Sequence, residues 1–176
     1  NRINAAVALR MALLLGCPEE MARKALLSFK GVERRFQKVG ERVYDDYAHN
    51  PEKLTAMWKT FAALYPQGIC VIWRPHGYGP LMKMMDSLAV AFSSCMRKND
   101  ALILLPVYDA GGTAQRTVNS DALAPLISGN VVLARDFDEV ERWCIERKNA
   151  FGAFVTCGAR DPDLPAFAIR LSKAVM

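Results

Sequence analysis

The sequence predicts an α/β fold: a Rossmann-like, mainly parallel sheet flanked by helices and preceded by an αα-hairpin. Three observations predict it. Short apolar runs of strand length recur at 69–73, 101–107, 131–134 and 153–157. Each is followed by a stretch with helical spacing of apolar residues, and such alternation requires right-handed crossovers and parallel pairing. Ahead of residue 31 there is no strand-like run, only two helical segments that meet at Gly16 and Pro18.

Residues 1–15 place Ala, Leu and Met at helical intervals and read as a buried helix, which Gly16 and Pro18 terminate. Pro18 opens a second helix with Glu19 and Glu20 in its first turn and Arg23 and Lys24 further along, the order that a helix dipole favours. The pattern changes after Lys30, so residues 1–30 are expected to end one domain and residues 31–176 to form another. Residues 34–39 and 42–47 read as short strands about a turn at Gly40 and Glu41. A helix over 51–65 carries Leu54, Met57, Trp58, Phe61 and Leu64 on one face. Pro66, Gln67 and Gly68 break it before the strand 69–73. A helix over 81–96 leads to the strand 101–107; the Gly- and Thr-rich stretch 109–119 is a loop, and Asn119 or Ser120 can cap a helix over 121–127. The strand 131–134, the helix 138–148, the strand 153–157 and the helix 164–175 complete the alternation.

With 52% hydrophobic residues in 176, the chain can bury a core for one domain and part of a second. Its net charge of +5 arises from 23 basic and 18 acidic residues without a clustered block, which does not argue for nucleic acid. A site for phosphates or carboxylates fits that balance. The five cysteines are odd in number, widely spaced and set mostly in apolar runs, so they read as reduced core thiols of a cytoplasmic protein. No run approaches the roughly 20 apolar residues of a membrane span, and no signal peptide is visible. A start at Asn1 without Met reads as a piece of a longer protein.

Four strand ends release polar residues: Asp45 to Asn50, Arg74 to Tyr78, Tyr108 to Gly112, and Thr156 to Asp163. In a parallel sheet these lie on one edge, where ligands of open α/β sheets bind. Polar loops close every strand, however, and an Asp ahead of a helix is equally a cap. Arg34 and Arg35 suit bidentate contact with phosphate, or a solvated pair. His49 and His76 fall in strand-end loops, and two histidines without a third ligand make no metal site. Gly77-Tyr78-Gly79 lacks the dinucleotide fingerprint and no Walker loop is present, so the chain does not grip a triphosphate by such a loop alone.

Taken in order, Asn1-x-x-Asn4-Ala5-x-x-Ala8, Gly31-Val32-x-Arg34-Arg35-Phe36, Asp45-Asp46-Tyr47-Ala48-His49-Asn50-Pro51 and Pro75-His76-x-Tyr78 resemble motifs of the Mur ligases of bacterial peptidoglycan synthesis. The resemblance is to the branch that adds L-alanine or recycles a murein tripeptide. It implies the end of a central ATP-binding domain followed by the whole C-terminal Rossmann-like domain. It also implies ATP or ADP as cofactor, with Mg2+ held mostly by the central domain. By the same resemblance, Asn1 and Asn4 lie near the adenine, Arg35 reaches the nucleotide as the catalytic arginine, Asp46 holds the ribose, and Tyr47 and His49 flank the nucleotide. His76, Tyr78 and Arg160 would bind the acceptor. In such ligases ATP phosphorylates a carboxylate and an amine displaces the phosphate. The partners implied are a UDP-sugar and an amino acid or peptide, met through the full-length enzyme, with neither nucleic acid nor membrane; the piece alone would be inactive.

One departure bears on the acceptor. The alanine-adding members read Pro-His-Arg-Tyr where this chain has Pro75-His76-Gly77-Tyr78-Gly79-Pro80, so Arg74, Lys83 and Arg160 are the candidate replacement cations. The alternative is a non-catalytic Rossmann-like module that binds a nucleotide or a protein. A dehydrogenase is disfavoured, because no glycine fingerprint follows any strand.

Overall fold

Residues 2–111 and 115–176 are described by the computed structural model, which divides into two units, Asn1–Glu33 and Arg34–Met176. The first unit is a helical hairpin of α1 (Arg2–Leu14) and α2 (Glu19–Ser28). Gly16 adopts a left-handed φ of 84°, which lets the chain reverse while Cys17 N–H donates to the Ala12 carbonyl at 2.9 Å. No described residue of α1 is buried, and α2 buries only Ala22. Within a two-helix unit α1 has one neighbour, so Ile3, Val7, Met11, Leu14 and Leu15 stay exposed despite their apolar spacing.

The second unit is built on a six-stranded sheet of order β1-β2-β6-β3-β4-β5. Its strands are β1 (Gln37–Lys38), β2 (Val43–Asp46), β3 (Ile69–Trp73), β4 (Ala101–Leu104), β5 (Val131–Leu133) and β6 (Ala153–Cys157). All pairings are parallel except that of the two-residue β1 with β2. The expectation of a mainly parallel, Rossmann-like sheet holds. Every residue of β3 and β6 is buried, as continuous apolar runs covered on both faces must be. Alternation divides the core: Ile69, Val71 and Trp73 pack with Trp58, Phe61, Leu88 and Phe92 of α3 (Pro51–Leu64) and α4 (Tyr78–Cys95). Cys70 and Ile72 point the other way, towards Val140, Cys144, Phe167 and Leu171 of α6 (Phe137–Glu146) and α7 (Asp163–Ala174).

Two helix boundaries differ from expectation, both through proline. α4 begins at Tyr78 and not Leu81, because Pro80 falls in the first turn, where a missing N–H costs nothing. The helix expected over 121–127 is a single turn, α5 (Ser120–Leu123), running into a 3-10 turn at Ala124–Leu126 around Pro125.

At the amino-terminal end of the sheet, Asp100 ties α3, β3 and β4 together. Its fully buried carboxylate accepts from Trp58 Nε1 at 3.0 Å, from the Ile69 amide at 3.0 Å, and from Arg97. The Arg97 guanidinium also caps α3, donating to the carbonyls of Ala62 at 2.9 Å and Tyr65 at 3.0 Å. The five cysteines are unpaired, with Cys70, Cys144 and Cys157 buried. Among the described residues no helix is long and apolar enough to cross a membrane.

Candidate functional site

Parallel pairing of β2, β6, β3 and β4 puts their carboxyl ends on one rim, and the polar loops meet there. β2 ends in two carboxylates that alternate in direction. Asp45, 1% exposed, accepts from Arg34 Nε at 2.8 Å and from Thr156 Oγ1 at 2.8 Å. Burial pushes its carboxyl above the ordinary range, although Arg34 and Thr156 pull it down. Asp46 is half-buried and spends one lone pair per oxygen on the backbone: Oδ2 accepts from the Phe36 amide and Oδ1 from the Ala48 amide, each at 2.8 Å. One lone pair on each oxygen remains, enough to accept from two neighbouring hydroxyls. The helix cap that the spacing left open belongs to Asn50, whose Oδ1 accepts from the Lys53 amide at 2.9 Å.

Arg35 is exposed, with its guanidinium 5.4 Å from the centre of the Tyr47 ring; that of Arg34 lies 5.2 Å from the same ring. His49 Nδ1 lies 2.8 Å from the Tyr47 carbonyl oxygen. A carbonyl can only accept, so that nitrogen carries the hydrogen. The His49 ring meets His76 edge-on, centroids 5.0 Å apart. Burial, with the nearby His49 and Arg160, pushes His76 down to about 4, so its ring is neutral at physiological pH.

Beside His76 is a pocket of about 160 Å³, walled by His76, Tyr78, Pro80, Tyr108, Asp109 and Arg160. Arg116 donates to Asp109 at 3.1 Å through Nη2, holds that carboxyl below its usual range, and lies 5.9 Å from the centre of the Tyr78 ring. Of the three candidate replacement cations, Arg74 is committed to the buried Asp161 at 2.8 Å and packs over Tyr108 and Phe137. Lys83 lies on α4, exposed, and is not a wall of the pocket. Arg160 is exposed and lines it. Among the described residues neither Arg35 nor Arg160 pairs with a carboxylate.

The structure therefore gathers Arg35, Asp46, Tyr47 and His49 at one part of the rim and His76, Tyr78 and Arg160 at the next. Asn4 is exposed on α1 of the first unit. Asn1 lies outside the described residues. Arg34, Asp45 and Thr156 carry the rim; the sequence offered Arg34 as a phosphate contact or a solvated base and did not reveal its pairing with Asp45. The available signal was a carboxylate at an inward-facing strand position, which has to find a cation. Among the described residues no three His, Cys, Asp or Glu side chains gather as a metal would require.

A family model described as Mur ligase, glutamate ligase domain, matches residues 34–160. The UDP-N-acetylmuramate--L-alanine ligase of Sinorhizobium medicae (strain WSM419) is 38% identical over 128 residues, which is 70% of this chain and 26% of that protein. The enzyme of the same name from Methylorubrum extorquens (strain PA1) is 35% identical over 127 residues, again 70% and 26%. The chain thus spans about a quarter of the length of these curated relatives. The crystal structure of the UDP-N-acetylmuramate-alanine ligase of Thermotoga maritima superposes with a TM-score of 0.67 at 24% identity, over 98% of this chain and 37% of that one. A bifunctional folylpolyglutamate synthase/dihydrofolate synthase from Yersinia pestis, complexed with AMPPNP and Mn ion, gives 0.60 at 17% identity over 91% of this chain and 35% of that one. These two likenesses are of fold.

Proposed function

The chain belongs to the Mur ligase family, in its glutamate ligase domain, and from that premise we propose that it is the nucleotide- and acceptor-binding domain of an ATP-dependent ligase that joins an amino acid to a carboxylate. The observation that carries the reading is the adjacency of two half-sites on one rim, Arg35 with Asp46 and His76 with Arg160, bridged by the contact between His49 and His76. ATP supplies the phosphoryl group that makes a carboxylate reactive towards an amine. Asp46 keeps a lone pair on each oxygen for the two hydroxyls of a ribose, and Tyr47 offers a ring face beside it. Arg35, which meets no carboxylate of its own, stabilises negative charge on phosphate oxygens. Arg160 holds the acceptor carboxylate, and neutral His76 lines the same pocket without repelling an ammonium group.

Asp46 and Arg35 suit a nucleoside and an anion, and on this reading Mg2+ is held mostly by the central domain. On this reading residues 1–30 end a central domain that carries the phosphate loop and the magnesium ligands, and the C-terminal piece alone does not turn over. The relatives' name gives the proposed substrates, a UDP-linked N-acetylmuramate and L-alanine or a close analogue. Separate calorimetric titrations with ADP and with L-alanine test the proposal. Weak binding of both is expected. No heat with either ligand overturns it, and tight ADP binding by this chain alone contradicts the placing of the phosphate grip elsewhere.

A further inference from the structure

Three described residues other than glycine have φ in the left-handed region: Arg34 at 56°, Phe36 at 52° and Arg160 at 66°. All three lie at the rim, and each conformation is unfavourable for an L-residue, so surrounding contacts must offset it. The Phe36 amide is held by Asp46 Oδ2 at 2.8 Å, and the contacts that span to residue 158 come from one side chain, that of Arg34. The Arg34 guanidinium forks, Nε donating to Asp45 Oδ2 at 2.8 Å and Nη2 to the Gly158 carbonyl at 2.9 Å, while the Arg34 amide donates to Gln37 Oε1 at 2.8 Å. Residues 34–36 are thereby joined to the turn 158–161, which is otherwise held by the Gly158 amide on the Asp46 carbonyl at 3.3 Å and by Arg74 on Asp161 at 2.8 Å. Space there is tight: a Cβ on Gly158 would stand 2.7 Å from the Arg74 carbonyl oxygen.

We infer that Arg34 is a positioning residue: it fastens the loop that presents Arg35 to the turn that presents Arg160, so that both free cations keep their places only while its guanidinium bridges Asp45 and Gly158. The ligands of those cations rest on the proposed function; the fastening does not. Arginine is required because a planar fork reaches a carboxylate and a carbonyl at once, whereas a lysine ammonium can neutralise Asp45 without holding Gly158 in the same geometry. A merely stabilising ion pair with Asp45 would be satisfied by either residue.

The test is Arg34→Lys in the full 176-residue chain, read by amide hydrogen exchange and by titration with inorganic pyrophosphate. The Phe36, Gly158 and Asp161 amides are expected to exchange about tenfold faster, the loss appropriate to one charge-assisted hydrogen bond, while the Leu105 amide at the β3–β4 boundary keeps its rate. Pyrophosphate binding should weaken about tenfold with Arg35 still in place, by the same loss. A further Arg35→Ala change in that background should then cost less than it does in the wild type. Unchanged exchange at the three amides overturns the inference, as does a uniform acceleration across the sheet, which would mark a purely structural role. If Arg34→Lys does not fold, Asp45→Asn keeps a partner for Thr156 while loosening Arg34, and the same three amides should quicken; equal protection would again overturn the claim. Should the wild-type chain ignore pyrophosphate, the phosphate contact proposed for Arg35 fails while the exchange result still decides the role of Arg34.

Discussion

The two ends of the same sheet are each tied by a buried Asp paired with an Arg, yet they are finished differently. At the amino-terminal end Asp100 and Arg97 form a closed knot, in which the guanidinium is consumed by Asp100 and two helix carbonyls. Burial pushes Asp100 upward but is outweighed by Arg97, Trp58 and the Ile69 amide, leaving its carboxyl below the ordinary range. At the carboxyl end Asp45 and Arg34 also satisfy each other, but there burial prevails and Asp45 stays above its range. Around that second knot two further cations, Arg35 and Arg160, remain without a carboxylate among the described residues, together with a neutral histidine and a small pocket. A buried ion pair therefore does not mark a site. The groups left over beside it do, because unpaired cations on a positively charged chain are free to meet an anionic ligand.

The largest effect that can break this contrast is at the closed end. Asp100→Ala strands the Arg97 guanidinium, the Trp58 indole and the Ile69 amide, and should cost about 3–5 kcal/mol in denaturant unfolding. A loss well under that, or a changed response to ADP, would show that the two ends are not separable into structure and site. The reverse outcome is expected at the open end, where Arg35→Ala should change stability by less than about 0.5 kcal/mol, as exposed substitutions do. ADP binding should nevertheless weaken about tenfold, the value of one hydrogen bond to a charged group, and calorimetry on folded variant measures it.

The pH dependence of His76 sharpens the contrast further. Its folded value of about 4 lies below the ordinary 6.5, so between those limits the unfolded chain binds a proton that the folded chain does not. Its contribution to stability is therefore whole above pH 6.5 and declines as pH falls towards 4. Titration of the His76 ring by NMR should show a midpoint near 4, shifted upward in Arg160→Ala once that nearby positive charge is removed. A midpoint at 6.5 would remove the neutral histidine from the site. A small effect is also predicted away from both knots: Asp138→Asn breaks an exposed pair with Arg170 at 2.9 Å and should alter stability by under about 1 kcal/mol in the same unfolding measurement, with ADP binding unchanged.

Much of this architecture is legible in the sequence because the central strands are covered on both faces, so β3 and most of β6 appear as short apolar runs, each followed by a helical stretch. The gathering of Asp46, Tyr47, His49 and His76 followed from parallel pairing alone. The role of Arg34 did not, because its decisive acceptor, the Gly158 carbonyl, is 124 positions away in the chain. Spacing likewise could not decide whether Asp46 or Asn50 caps α3, and it placed Tyr78 outside a helix that Pro80 in fact helps to begin.

The central claim, that the open end of the sheet is where nucleotide binds, is tested most directly by the 1H–15N correlation spectrum of the chain during an ADP titration. Shifts concentrated at Arg35, Asp46, Tyr47 and His49, with Ile69, Arg97 and Asp100 unmoved, are the predicted result. Shifts centred on Asp100, or none anywhere on the rim at saturating ADP, would contradict it.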